Sequence, residues 1–303
     1  MVRVGLALPQ LGDHVTGDSF RSFCESAERL GYSSLWAQEH LFFPHQPKSG
    51  YAAVPGMPIP AQYRSVLAAT EAMAFAAACT ETVAIGSSIL VGGYHRPVSI
   101  AQRLATIDLL SGGRLVAGFS VGWSDDEHAQ MDVDPRTRGR RLDELVRAVL
   151  ACWGPDPVTF TGEFFDIPES DIRPKPLQVP HPPLLSGMWS DSGLTRTVQL
   201  FDIWNPARGN PAELADKVQE LNAQRSADQL PLRLYYRSFA QRPTHRPGDV
   251  VAGVEGVVED VRAAAVSGVE EVIIEGNFWE VADSPDAWAR MPELLLPAVE
   301  AGR

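Results

Sequence analysis

Val83-Ala84-Ile85-Gly86-Ser87-Ser88-Ile89, then a helix opened by Pro97 and running through Leu104, then Leu115-Val116-Ala117-Gly118-Phe119-Ser120-Val121, read as one strand–helix–strand unit. The outer runs are apolar without a helical period, the pattern of strands buried on both faces, and Pro97 suits a first helical turn whose N–H would be unpaired anyway. The unit repeats upstream. Val2 to Leu8, bounded by Pro9 and Gly12, is a first strand, and Ser34 to Ala37 is a second, followed by a helix through Met73 and Ala77. Between those strands Phe20, Phe23, Cys24, Ala27 and Leu30 share one helical face, with Asp18 as N-cap and Gly31 as C-terminal stop.

Downstream, Leu142, Leu145, Val146, Val149, Leu150 and Trp153 form the clearest amphipathic stripe. Regularity then breaks. Val158 to Ile167 alternates around Thr161-Gly162 like a hairpin, and five prolines crowd Pro174 to Pro183, so residues of about 154–183 read as an insertion after the fourth βα unit. Leu184 to Ser186, Asp202 to Trp204, Arg233 to Tyr236 and Val272 to Glu275 supply four more strands, separated by helices over 191–200, 212–224 and 255–267. Eight βα units favour an α/β fold closed as a (β/α)8 TIM barrel over an open doubly wound sheet, with 1–303 as a single domain.

A chain of 303 residues, 45% hydrophobic and 21% charged, can build a sizeable core. Its formal charge of −12 argues against nucleic acid, whose phosphates need clustered Lys and Arg, and favours a small-molecule partner. Cys24, Cys79 and Cys152 lie far apart in helical stripes, without metal-ligand spacing, and read as buried thiols. Met1 to Leu8 is too short for a signal segment, and no apolar run approaches the roughly 18 residues of a membrane span. The expectation is a cytoplasmic protein that binds no membrane.

Barrel chemistry gathers where strands end. The second strand runs into Trp36-Ala37-Gln38-Glu39-His40, which brings an imidazole to the mouth as a proton donor or acceptor; Glu39 suits orientation of that loop. The third ends Gly86-Ser87-Ser88-Ile89, small enough for a planar ring to approach the backbone, and equally suited to an ordinary strand end.

Three ordered blocks follow: His95-Arg96-Pro97; Ala105-Thr106-Ile107-Asp108-Leu109-Leu110-Ser111-Gly112-Gly113-Arg114; and Gly118-Phe119-Ser120-Val121-Gly122-Trp123 with Glu127. Together they closely resemble the luciferase-like monooxygenase superfamily. The resemblance extends through Ala27 to Tyr32, Glu39-His40, Arg138-Gly139, Asp143-Glu144 and Pro174-Lys175-Pro176, over roughly residues 1–205. Ser120 and Val121 depart from the usual glycine-rich third block.

The resemblance implies a flavin or deazaflavin at the barrel mouth. Ser87, Ser88, Ile89, Val121 and Gly122 are the residues expected against its ring, with a cis peptide at Ser88-Ile89 as in the enzymes of coenzyme F420. Gly139, where many FMN members carry an aromatic residue, also favours F420 over FMN. The cofactor phosphate would lie at Ser186, Gly187, Met188 and Ser190, where a turn opens a helix whose N–H groups and dipole suit an anion. This turn follows the fifth strand, whereas such sites commonly follow strands seven and eight.

His40 would handle a proton during hydride transfer to or from an unidentified small substrate, whose pocket would be lined by the aromatic and proline-rich stretches Phe42 to Tyr63 and Phe278 to Trp279. An FMN monooxygenase and a ligand-binding barrel without turnover are the competing readings. A homodimer is expected from the resemblance and from Met73 to Cys79, which is apolar all round.

Overall fold

The computed structural model describes residues 1–243 and 251–303. Eight parallel strands close on themselves in chain order: Arg3–Ala7, Ser34–Ala37, Ala84–Ser87, Leu115–Ser120, Leu184–Ser186, Ile203–Trp204, Arg233–Phe239 and Glu271–Glu275. The third pairs with the fourth through Ile85 and Leu115, and the first with the eighth through Val4 and Val272, so no edge is left open. The turn at Gly187 therefore does follow the fifth strand.

Strand alternation builds two cores. Leu234, Tyr236, Val272 and Ile274 face the helices in the larger one, while Trp36, Val116, Leu185, Ile203, Tyr235 and Ile273 fill the barrel as an apolar plug. Below the plug, Glu271 accepts from Ser34 and pairs with Arg3 at 3.2 Å. Burial pushes the Glu271 carboxyl up. Gly118 has no room for a side chain, because a Cβ there would collide with the Ser87 carbonyl.

Four polar residues within the family-like blocks tie chain segments together. Glu28 accepts the amides of Glu81, Thr82 and Val83. Arg114 donates to the carbonyls of Ala77, Thr80, Val83 and Ser111. Asp108 accepts Leu177 N at 2.7 Å and Gln178 N at 3.0 Å. Glu144 accepts the amides of Glu163, Phe164 and Phe165, which anchors the antiparallel hairpin of Val158–Thr161 and Asp166–Ser170.

Several expectations shift. The first helix, Gly17–Leu30, is capped by Thr16 rather than Asp18, because Thr16 and Ser19 form a reciprocal capping box. Helices at Pro285–Leu294 and Leu296–Gly302 are absent from the sequence reading: the first packs on Gly17–Leu30, and in the second Gly302 O accepts Val2 N at 2.9 Å beside the first strand. Cys24 and Cys152 are buried, but Cys79 is only half-buried at the end of Ala69–Ala78. No helix among the described residues is long and apolar enough to cross a membrane.

Candidate functional site

Above the apolar plug, at the C-terminal ends of the strands, lies a cavity of about 580 Å³. Glu39, His40, Ser88, Ile89, Val121, Gly122, Gly187, Met188 and Ser190 all line it. Ser87 and Ser186 do not. Ser87 Oγ bridges the amide and carbonyl of Gly118 at 2.8 and 2.9 Å, and Ser186 Oγ bonds Thr197 Oγ1 at 2.6 Å. Both are fully buried, so their side chains serve the barrel wall instead of a ligand.

The loop after the second strand is held by two carboxylates. Glu39 accepts Val91 N at 2.7 Å and lies 3.0 Å from His95 Nε2, contacts that tie this loop to the segment after the third strand. Glu127, on the short helix Asp125–Gln130, accepts Leu41 N at 2.7 Å and stands 3.3 Å from His40 Nδ1. Its second oxygen accepts Tyr94 OH at 2.6 Å. Burial alone would raise the Glu127 carboxyl, but the hydrogen bond and charge of His40, with Tyr94 and Leu41 N, hold it below the ordinary carboxylate range. An ionised Glu127 fixes the proton on His40 Nδ1 and leaves Nε2 for a ligand. Tyr63 packs on the His40 ring at 4.2 Å and Trp123 at 5.3 Å, limiting its rotation.

The third strand ends in a cis Ser88–Ile89 peptide, as the resemblance implied. Ser88 Oγ donates to Asn205 Oδ1 at 2.8 Å, and its carbonyl accepts from Arg237 at 3.0 Å. Gly187 faces this segment: a Cβ there would come within 2.9 Å of Ile89 Cγ2. Gly122 sits at φ +72°, and its Cβ would meet Val91 at 2.6 Å and His128 at 2.9 Å. At Gly122 and Gly187 the wall thus has no room for a side chain, which leaves backbone as the surface a flat ring would approach.

At the other end, Ser190 caps the helix Asp191–Leu200 by accepting Gly193 N at 3.2 Å. Arg138, Arg196 and Arg208 line that wall, and Gly139 packs so closely that its Cβ would be 2.7 Å from the Arg196 guanidinium. A helix N-terminus beside guanidinium groups fits an anionic group. The residues present therefore suit a ligand with a planar ring at the Ser88–Ile89 end and a phosphate at the Ser190 end.

Sequence reasoning did not single out Arg237 or Asn205, both of which line the cavity, whereas Tyr63, the end of the stretch assigned to the substrate pocket, and Trp123, the end of the third block, line it as well. Alternation along Arg233–Phe239 was the available signal for Arg237, since it shares the inward face of Tyr235.

A closed parallel barrel with a cavity of mixed polar and aromatic lining at its C-terminal mouth has the architecture of barrel enzymes. The family described as luciferase-like monooxygenase matches residues 6–293, and the chain belongs to it. Members of this family are oxidoreductases or monooxygenases acting on small molecules. An FMNH2-dependent dimethylsulfone monooxygenase of Pseudomonas putida is 29% identical over 226 residues, 73% of this chain and 57% of that protein. An F420-dependent glucose-6-phosphate dehydrogenase of Kineococcus radiotolerans is 31% identical over 159 residues, 52% of this chain and 43% of that protein. The chain thus spans about half the length of these curated relatives. In overall fold it superposes on an F420-dependent secondary alcohol dehydrogenase with a TM-score of 0.76 at 15% identity, covering 100% of this chain and 99% of the other.

Proposed function

We propose that this chain is an oxidoreductase that transfers a hydride between coenzyme F420 and a small organic substrate. The observation that carries the reading is the convergence of Ser88, Ile89, Gly187 and His40 on one cavity, with a capped helix N-terminus and arginines at its far end. Gly139 on the cavity wall supports F420 over FMN, because the family resemblance puts an aromatic residue at this position in many FMN members. F420 supplies two-electron hydride chemistry. The protein seats the ring at Ser88 and Ile89, holds the phosphate at Gly187 to Ser190, and moves a proton at His40 Nε2. Glu127 keeps that imidazole oriented, and Tyr51, Tyr63 and Phe278 make an aromatic lobe for the apolar part of the substrate.

The FMN reading has one observation in its favour: the FMNH2-dependent relative aligns over the larger share of the chain. Loss of the oxidised F420 absorbance when the protein is mixed with F420 and a panel of secondary alcohols tests the hydride reading. Oxygen-dependent product formation with reduced FMN, without change of F420, would favour the monooxygenase. A cytoplasmic homodimer belongs to the same proposal, with exposed Phe75 on the helix Ala69–Ala78 as part of the subunit contact.

A further inference from the structure

Along the seventh strand, Tyr235 enters the apolar plug and Arg237, two residues on, enters the layer above it, at the cavity floor. One terminal nitrogen of Arg237 donates to Glu275 Oε2 at 2.8 Å and the other to the Ser88 carbonyl at 3.0 Å. Glu275 is fully buried. Its Oε1 accepts Asn277 N at 2.9 Å and Nδ2 at 2.7 Å, and Gln38 Nε2 lies 3.5 Å from Oε2. Taking two such charges out of water costs several kcal/mol per ion before their attraction is counted, and well-packed apolar residues often replace a buried pair without loss. Stability alone therefore does not account for an ion pair at this end of the barrel.

The pair is also directional. Arg237 lines the cavity and Glu275 does not, so the positive partner faces any ligand. Of the five guanidinium N–H groups, two are engaged among the described residues. Ser88, whose carbonyl Arg237 holds, shares the cavity wall with Ile89.

We propose that Arg237 stabilises the reduced form of the ring seated against Ser88 and Ile89. The inference rests on the reading of this cavity as a deazaflavin or flavin site. Hydride uptake brings a ring two electrons and one hydrogen nucleus, hence one added unit of negative charge. A donor fixed in advance beside that charge, in a site sheltered from water, favours the reduced ring over the oxidised one. Glu275 holds the guanidinium in place from the far side, and Asn277 and Gln38 satisfy the carboxylate so that it does not compete for the remaining donors.

The test is the affinity of the purified protein for oxidised and for dithionite-reduced F420, with FMN in a parallel titration. The variants are Arg237→Lys and the double variant Arg237→Gln with Glu275→Gln, which removes both charges and leaves neither buried alone. The ratio of oxidised to reduced Kd is expected to fall about ten-fold in the double variant, a potential lower by about 30 mV for a two-electron couple. A smaller fall is expected in Arg237→Lys, whose single ammonium cannot reach Glu275, Ser88 O and the ring together. If thermal melting shows that the double variant does not fold, Arg237→Lys decides alone. An unchanged ratio in the folded variants overturns the role given to Arg237 while leaving the cofactor reading intact. A wild-type protein that binds neither ring overturns both.

Discussion

Glu127 divides its carboxylate between His40 Nδ1, 3.3 Å from Oε1, and the Tyr94 hydroxyl, 2.6 Å from Oε2. The imidazole is thus oriented from behind while its ring lines the cavity. His40→Ala is expected to leave cofactor affinity within a few-fold and to slow hydride transfer about 100-fold, the scale of losing one general acid or base. Single-turnover measurement with saturating cofactor separates the two quantities. An unchanged rate would remove His40 from the mechanism.

The same carboxylate predicts an acid-stability effect. Its folded-state pKa lies below the ordinary value of 4.5, so its contribution is complete above that value and is lost as pH falls through the folded value. The wild-type melting temperature should therefore drop on acidification below about pH 4.5. Glu127→Gln, which cannot titrate, should show a shallower drop over the same interval. Parallel curves for the two proteins would contradict the assignment.

Gly187 and Ser190 should respond differently to substitution. Gly187→Val places branched carbons against Ile89, where even a Cβ would be 2.9 Å from Cγ2, and should weaken cofactor binding strongly in a folded protein. Ser190→Ala removes one helix cap and should cost about 1 kcal/mol of stability with a modest change in affinity. Parent-like cofactor affinity in a folded Gly187→Val protein would move the anion site elsewhere.

Much of the barrel was legible because burial imposes periodicity. The apolar run of Leu115–Ser120 and the stripe from Leu142 to Trp153 announced their elements directly. Pro292 hid the helix Pro285–Leu294, since a proline inside a helix reads as a break, and Leu296–Gly302 is too short to show a helical period although Pro297 sits acceptably in its first turn. Ser87 and Ser88 are adjacent and alike, yet one bonds inside the wall and the other faces the cavity. Only the pairing with Gly118 reveals which is which. Glu127 was quoted as part of a block, but its contact with His40 joins residues 87 positions apart, which no local pattern encodes.

Glu144 offers a test of the tether reading. Its carboxylate accepts Glu163 N at 2.9 Å, Phe164 N at 2.8 Å and Phe165 N at 2.6 Å. Glu144→Ala leaves those amides without their acceptor and should destabilise the protein by about 2 kcal/mol or more. Hydrogen exchange should accelerate first in the hairpin Val158–Thr161 and Asp166–Ser170. Unaltered protection there would mean that the hairpin is held by its other contacts.

The central claim is that this cavity takes a deazaflavin. Its most direct test is titration of the purified protein with F420 and, separately, with FMN, followed by absorbance or fluorescence. The account predicts saturable F420 binding with a lower Kd than for FMN; micromolar FMN binding with no F420 binding would contradict it.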